Sequence, residues 1–195
     1  MISPKETMKI LVHERRGLGE ALIIFFLFSI LNWTALVLAL KHLLNYLIGT
    51  LFTFMRLFTP WLLSLVMVLG LIFDVILWVL LSVGIHITLR AVNGGGSFED
   101  TMSILGYSQV SRVPCIVPLA LSPFMPITSM VLYLVFSIVA IMWFVYLASL
   151  GLSEAHGVSF EKALIAVILP PLAVIGLLVI APLLWGLIGF WRWIP

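Results

Sequence analysis

The chain alternates between long apolar runs and short polar segments. The first run, residues 21–40, has no charged residue, and its twenty residues match the length that an α-helix needs to cross about 30 Å of hydrocarbon. Four later runs contain few charges and extend over residues 60–91, 97–122, 127–150 and 163–191. This pattern predicts an all-α, polytopic membrane protein with five transmembrane helices.

Prolines inside two of these runs predict kinked helices. They are Pro114, Pro118, Pro170, Pro171 and Pro182. Proline lacks a backbone N–H and crowds the preceding turn, but neighbouring helices can satisfy the carbonyl groups that lose their bonds. Packing is the favoured role of the kinks, and a cavity is the alternative. Pro60 follows Thr59 and is instead expected at the first position of the second helix.

Two shorter segments have the character of interfacial helices. Residues 1–20 form a polar head, and residues 1–17 carry an amphipathic pattern with basic side chains. Residues 42–56 are apolar but too short to cross a bilayer. We expect both segments to lie at the membrane surface. At the C-terminus, Arg192 and Trp193 suit an interfacial anchor.

Composition agrees with the membrane assignment. Hydrophobic residues make up 63% of the 195 residues and charged residues only 9%, whereas soluble domains carry about 25% charged residues. The formal net charge of +2 argues against a nucleic-acid partner. Cys115 is the one cysteine of the sequence, so an intramolecular disulfide is excluded. The whole chain, residues 1–195, is interpreted as a single membrane domain.

Basic residues indicate the orientation. With five spans, six of them fall on the side of the N-terminus, namely Lys5, Lys9, Arg15, Arg16, Arg90 and Lys162. Three fall on the other side, namely Lys41, Arg56 and Arg192. Because basic residues concentrate in cytoplasmic loops, we expect a multi-pass protein of the cell membrane with its N-terminus in the cytoplasm and its C-terminus outside.

A glycine-rich turn separates the second and third runs, and part of it is repeated. The first copy comprises Gly94, Gly95, Gly96, Ser97, Phe98, Glu99 and Asp100, and the second contains Gly157, Ser159, Phe160 and Glu161. Glycine permits positive φ and close approach, and Ser97 with Asp100 has the spacing of a helix cap. The turn is interpreted as a tight hairpin. The alternative, an anion site at the helix N-terminus, is opposed by the charges of Glu99 and Asp100.

Asp74 and Arg112 are charged residues inside predicted spans. Asp74 lies sixteen residues before Arg90, and Arg112 lies fifteen residues after Ser97. If the glycine turn joins the two helices, both side chains reach a depth of about 22–24 Å from that turn. We therefore expect an ion pair that holds the hairpin together. Two alternatives stay open: a site for a substrate or ion, and placement of one or both charges among lipid headgroups.

Other polar side chains cluster near the predicted cytoplasmic interface. His86 lies one turn before Arg90, and the second loop contains Glu154, His156 and Glu161. Imidazole and carboxylate groups can bind divalent metals, but no spacing here is diagnostic of a metal site. The favoured interpretation is a solvated loop with an interfacial histidine, and no metal or cofactor is expected.

Several motifs, in order along nearly the whole chain, carry a family resemblance. They span residues 4–8, 86–90, 94–101, 105–107, 151–157 and 162–164, together with Pro114. This arrangement resembles the Yip domain family, five-span membrane proteins first described as interactors of Ypt/Rab GTPases. The short loops are similar to compact archaeal or bacterial members. The long cytosolic N-terminal region of eukaryotic members is absent from this sequence, so we do not expect Rab binding.

The resemblance implies a non-enzymatic scaffold or adaptor, linked in eukaryotes to membrane traffic and organelle shape. The sequence contains no phosphate-binding loop, His-Glu-x-x-His motif or Gly-x-Ser-x-Gly motif, so an enzyme is not expected. The expected partners are membrane lipids, a protein at the cytoplasmic loops, and a second copy of the chain. The alternative function is a small transporter, channel or lipid-handling protein with a polar path at Asp74 and Arg112.

Overall fold

The protein is helical throughout the part of it that is described. The computed structural model describes residues 6–7, 10, 17–48 and 53–191, and these form helices and turns without a β-strand, which confirms the all-α class. Six α-helices follow in order: α1 (Leu18–Ile48), α2 (Thr53–Ala91), α3 (Phe98–Tyr107), α4 (Val113–Leu119), α5 (Pro126–His156) and α6 (Phe160–Trp191). Most of the predicted head, and the anchor at Arg192 and Trp193, lie outside the described residues.

Four of these helices are long and apolar enough to cross a bilayer. Their candidate spans are Leu18–Leu47, Thr59–Ala91, Pro126–His156 and Phe160–Leu177. They coincide with four of the five predicted spans, although the helices extend beyond the predicted limits. A helix in a membrane continues past polar residues because lipid offers no partner for a free backbone group. Pro60 therefore lies inside α2 and not at its first position, and its carbonyl accepts a hydrogen bond from Ser64 Oγ at 2.9 Å.

The prediction of a separate interfacial helix over residues 42–56 is wrong. Helix α1 continues to Ile48, and residues 53–56 already belong to α2. Residues 49–52 lie outside the described residues. Lys41 does not end α1, because a long basic side chain can extend along the helix towards the interface while the backbone stays helical.

The third predicted span, residues 97–122, is not one continuous helix. It consists of α3, a 3-10 turn over Ser108–Arg112, and α4. We call these three pieces the central segment. The change of helix type comes directly before Pro114, whose ring cannot accommodate the α-helical position of the carbonyl four residues earlier. The hydroxyl of Ser129 donates to the Pro118 carbonyl at 2.9 Å and so joins the end of the segment to the start of α5.

The central segment runs through the interior of the bundle. Helix α3 packs against α1, α2 and α5, and α4 packs against α1 and α5. Eight of the nine residues over 101–109 are buried, all except Met102, and several of them are polar. Polar side chains are tolerated over 101–109 because the surrounding helices face these residues.

The apolar core lies towards the end of the bundle at which α2 meets α3 and α5 meets α6, which we call the loop end. It contains Phe25 of α1 stacked on Trp78 of α2, with ring centroids 4.7 Å apart. Leu89, Leu105 and Leu152 contribute to it from α2, α3 and α5, and Ala163, Ala166 and Val167 contribute from α6. The outer faces of the long helices carry exposed Leu, Ile, Val and Phe side chains, as expected of surfaces that contact acyl chains.

Candidate functional site

Asp74 lies in the middle of α2 and is the centre of a buried polar cluster. Its Oδ2 accepts hydrogen bonds from Arg112 Nη1 at 2.6 Å, Ser29 Oγ at 2.8 Å and Trp33 Nε1 at 3.1 Å. Its Oδ1 accepts from Arg112 Nη2 at 3.2 Å. The bidentate geometry matches the planar fork of the guanidinium group to the carboxylate.

Local structure explains how these side chains converge. Ser29 and Trp33 are four residues apart on α1 and therefore lie on one face of that helix. Arg112 ends the 3-10 turn, at the level of Asp74 in the neighbouring helix. Gly70 precedes Asp74 by one turn, and a Cβ atom there would overlap the indole ring of Trp33. Glycine at this position allows the ring to approach α2 closely enough to donate to Asp74.

The cluster is electrically balanced. Asp74 is 8% exposed, and the side chain of Arg112 is 25% exposed. One positive and one negative charge meet, and the hydroxyl of Ser29 and the indole N–H of Trp33 give the carboxylate two further donors. Such saturation offsets part of the cost of removing both charges from water. The structure thus brings Asp74 and Arg112 together as an ion pair within the bundle.

A cavity of about 370 Å³ adjoins this cluster. It lies between α2 and α5, which are not packed closely against each other. Asp74 and Arg112 contribute to its wall, together with Asn32, Trp78, Gln109 and Tyr133. The sequence predicts the ion pair but not this cavity, because the separation of two helices that are distant in the chain has no local signal.

The other two donors to Asp74 are Ser29 and Trp33. Their spacing of four residues is the sequence feature that places them on one face of α1.

The glycine turn begins α3 with a complete capping box. Ser97 Oγ accepts a hydrogen bond from the backbone N–H of Asp100 at 3.1 Å, and Asp100 Oδ2 accepts from the backbone N–H of Ser97 at 2.8 Å. Ser97 Oγ also donates to the same carboxylate oxygen at 2.7 Å. These groups occupy the helix N-terminus, so the geometry gives no support to the alternative of an anion site there.

In the first glycine turn, Gly94 and Gly96 serve close approach and not positive φ. Positive φ occurs at Asn93 (66°) and at Gly157 (64°) among the described residues, and Gly157 ends α5 in the left-handed conformation. A Cβ atom on Gly96 would lie 2.9 Å from the ring of His156. The backbone N–H of Gly95 donates to the His156 carbonyl at 2.9 Å. The two loops that share Ser-Phe-Glu are therefore in direct contact.

A histidine–threonine–histidine cluster lies beneath this contact. Arg90 Nε donates to His86 Nε2 at 3.4 Å, which leaves His86 Nδ1 to donate to Thr101 Oγ1 at 3.2 Å. Thr101 Oγ1 lies 2.9 Å from His156 Nε2. Thr101 and His156 are buried, so the cluster joins α2, α3 and α5 inside the loop end.

The acidic residues of the two loops lie at the surface. Glu99, Asp100 and Glu161 are exposed, and Glu154 is half-buried near the end of α5. Within the described part of the chain, no three His, Cys, Asp or Glu side chains are close enough to form a metal-binding group. The structure therefore joins His156 to His86 through Thr101 and does not gather Glu154 and Glu161 with them into a ligand set.

The chain is similar to one known protein family. The family model described as the Yip1 domain matches residues 1–181. Neither the comparison with curated proteins nor the comparison with solved structures gives a match. The matched region contains both loops, the central segment and the Asp74–Arg112 pair. Because the match covers more than nine-tenths of the 195 residues and agrees with the motifs in the sequence, the chain belongs to the Yip1 domain family.

Proposed function

We propose that this protein is a non-enzymatic membrane scaffold that presents the two loops of its loop end, as one surface, to a protein partner. The observation that carries this proposal is the 2.9 Å hydrogen bond between the Gly95 N–H and the His156 carbonyl. It holds loops from two distant parts of the chain in one arrangement. A pre-ordered surface loses less entropy on binding than two independent loops would.

The chemistry of this surface favours a partner with basic and apolar groups. Phe98 is 38% exposed at the start of α3. Glu99 and Asp100 follow it, and Glu161 with Lys162 is exposed at the start of α6. An exposed aromatic side chain among carboxylates is typical of an interface in which one apolar contact is surrounded by charges.

We place the loop end in the cytoplasm and the protein in the cell membrane. The distribution of basic residues supports this orientation. We count the central segment as a further crossing, which brings the total to five, since it extends from the loop end to the start of α5. The N-terminus is then cytoplasmic and the C-terminus is outside.

Transport past Asp74 is the alternative function, and the cavity beside Asp74 is the observation that favours it. The bonding of Asp74 weakens this alternative, because both carboxylate oxygens are already engaged by protein donors. A transporter that uses this carboxylate would lose flux in Asp74→Asn. Unchanged flux of that variant in proteoliposomes would leave the scaffold as the function to pursue.

Site-specific photocrosslinking in native membranes tests the scaffold. A benzoylphenylalanine replaces either Phe98 at the loop end or Phe136 on the outer face of α5, and each native side chain is 38% exposed. We expect a discrete protein adduct from position 98, absent from position 136, and lost when Glu99 and Glu161 are both changed to lysine. An adduct of twice the chain mass would identify a second copy as the partner. Identical adducts from both positions, or none from position 98, would refute the proposal.

A further inference from the structure

We propose that the cavity between α2 and α5 is a binding site for an uncharged lipid whose polar end carries hydroxyl or carbonyl oxygens. The proposal does not depend on the scaffold function, because it concerns the interior of the bundle and not the loop end. It rests on the shape of the cavity, on the polar groups that line it, on its charge and on its depth.

The cavity has the size and position of a ligand site that opens towards lipid. Its volume of about 370 Å³ lies within the range of about 300–1,000 Å³ that is usual for small-molecule pockets. Helices α2 and α5 form its sides, while α1 and the central segment form its floor. Leu77 and Ile141 line it and are 37% and 63% exposed on the outside of the bundle. A ligand could thus enter between α2 and α5 directly from the bilayer.

Two amide side chains that line the cavity make no hydrogen bond within the part of the chain that the structure describes. Asn32 and Gln109 are 9% and 6% exposed, and among the described residues no hydrogen bond involves either side-chain amide. A polar group that faces the cavity cannot obtain a hydrogen bond from lipid. A ligand oxygen in the cavity would accept from the side-chain amide N–H groups of Asn32 and Gln109.

The charges of the residues that line the cavity favour an uncharged ligand. Arg112 is the one cationic residue among those that line the cavity, and both of its Nη atoms already bind Asp74. A phosphate or carboxylate group would bring an additional negative charge into a site whose own charges cancel. In surroundings of low polarity that charge would carry a large desolvation cost.

The depth of the cavity along α2 also favours an uncharged ligand. Asp74 lies sixteen residues before Arg90, which corresponds to about 24 Å along α2 from the loop end. Charged headgroups stay in the interfacial region, whereas uncharged hydroxyl and carbonyl groups can enter the hydrocarbon at a lower cost. Aromatic rings of Trp33, Tyr133 and Phe144 also line the cavity and offer apolar surface to a tail or a ring. Diacylglycerols and isoprenoid quinones share this chemistry, so both are suitable probes.

Native mass spectrometry of the full-length protein, purified in detergent, tests the site. The probes are dioleoylglycerol, a long-chain menaquinone and, as the anionic comparison, dioleoylphosphatidic acid. We expect a one-to-one adduct with at least one of the two uncharged lipids, at concentrations at which phosphatidic acid gives none above background. The uncharged lipid that binds identifies the source of the oxygens, namely a glycerolipid or a quinone.

Two variants place the adduct in the cavity. Ala140→Phe fills the space next to the polar groups and should abolish the adduct, whereas Val139→Phe adds the same ring on the exposed face of α5 and should preserve it. Gln109→Leu removes a hydrogen-bonding group and should weaken the adduct by about tenfold, equivalent to one hydrogen bond. Gln109→Leu carries the test alone if Ala140→Phe does not elute as a folded protein.

Several results would overturn the proposal. They are the absence of an adduct with both uncharged lipids, binding of phosphatidic acid at least as strong as theirs, and equal adducts in wild-type protein and in a folded Ala140→Phe variant. An adduct unaffected by Gln109→Leu would also contradict the role given to the cavity amides.

Discussion

Four hydrogen-bond donors from two other segments of the chain converge on the carboxylate of Asp74. Ser29 and Trp33 come from α1, and Arg112 contributes two donors from the central segment. The donors therefore position two parts of the bundle, α1 and the central segment, relative to α2. Loss of one partner would leave the other charge buried and alone, which is more costly than replacement of both partners by apolar groups.

A double-mutant cycle should reveal this asymmetry. We expect Arg112→Met to destabilise the protein by about 3–5 kcal/mol, because Asp74 would remain buried without the partner that balances its charge. Asp74→Asn combined with Arg112→Met should recover a large part of that loss. Unfolding in a mild detergent at a fixed lipid concentration measures both effects.

Lys162→Met is the matched control for this cycle, since Lys162 is an exposed basic residue at the start of α6. Its effect should stay within about 0.5 kcal/mol. If the double variant were as unstable as Arg112→Met alone, Asp74 and Arg112 would not act as a pair.

The depth of this pair could be predicted from the sequence, whereas its other partners could not. A rise of 1.5 Å per residue from a common turn brings Asp74 and Arg112 to similar levels, even though Arg112 belongs to a 3-10 turn. Levels alone, however, do not specify rotation about a helix axis. Ser29 and Trp33 face Asp74 because of the way α1 packs on α2, and Gly70 contributes by admitting the indole ring.

At the scale of elements, the long helices follow from hydropathy, and their ends do not. The four uninterrupted runs predicted helices that the structure contains, but polar residues such as Lys41 did not mark the ends. The central segment differs in another way. Pro114 indicated an irregular helix there, yet burial by three neighbouring helices depends on packing between distant parts of the chain and has no counterpart in local composition.

The two loops are joined by side chains as well as by the backbone, and the side chain of Thr101 makes this connection. Its hydroxyl group lies within hydrogen-bond distance of His86 and of His156. Thr101→Val keeps the shape of the side chain but leaves both imidazole nitrogens without this partner. We expect amide hydrogen exchange in residues 93–97 and 154–158 to become about tenfold faster, equivalent to a local loss of about 1.4 kcal/mol.

Thr128→Val is the control for this experiment, since Thr128 is exposed near the start of α5, at the opposite end of the bundle. Exchange at the loop end should not change in that variant. Unchanged exchange in Thr101→Val would mean that the Gly95–His156 backbone bond alone holds the loops.

For the whole molecule, the proposed orientation makes a direct prediction about accessibility. In a Cys115→Ala background, a single cysteine replaces either Phe124 or Ser159. Phe124 is 85% exposed between α4 and α5, and Ser159 is exposed between α5 and α6. We expect a membrane-impermeant maleimide to label position 124 in intact cells and to label position 159 only after permeabilisation.

The reverse pattern would invert the orientation and place the loop end outside. Labelling of both positions in intact cells would contradict the crossing by α5, because α5 joins positions 124 and 159. Full labelling of both variants after solubilisation is the control for reactivity of each cysteine.

The shielded position of the central segment has a consequence for biosynthesis. An arginine at the centre of a lone membrane helix costs about 2.5–3.5 kcal/mol on insertion scales, so this segment is poorly suited to partition into lipid by itself. Helices α1 and α2 precede it in the chain and carry Ser29, Trp33 and Asp74, the groups that neutralise or flank Arg112. The groups that surround the guanidinium are therefore synthesised before Arg112 itself. The order of the helices along the chain is also an order in which the bilayer can accept them.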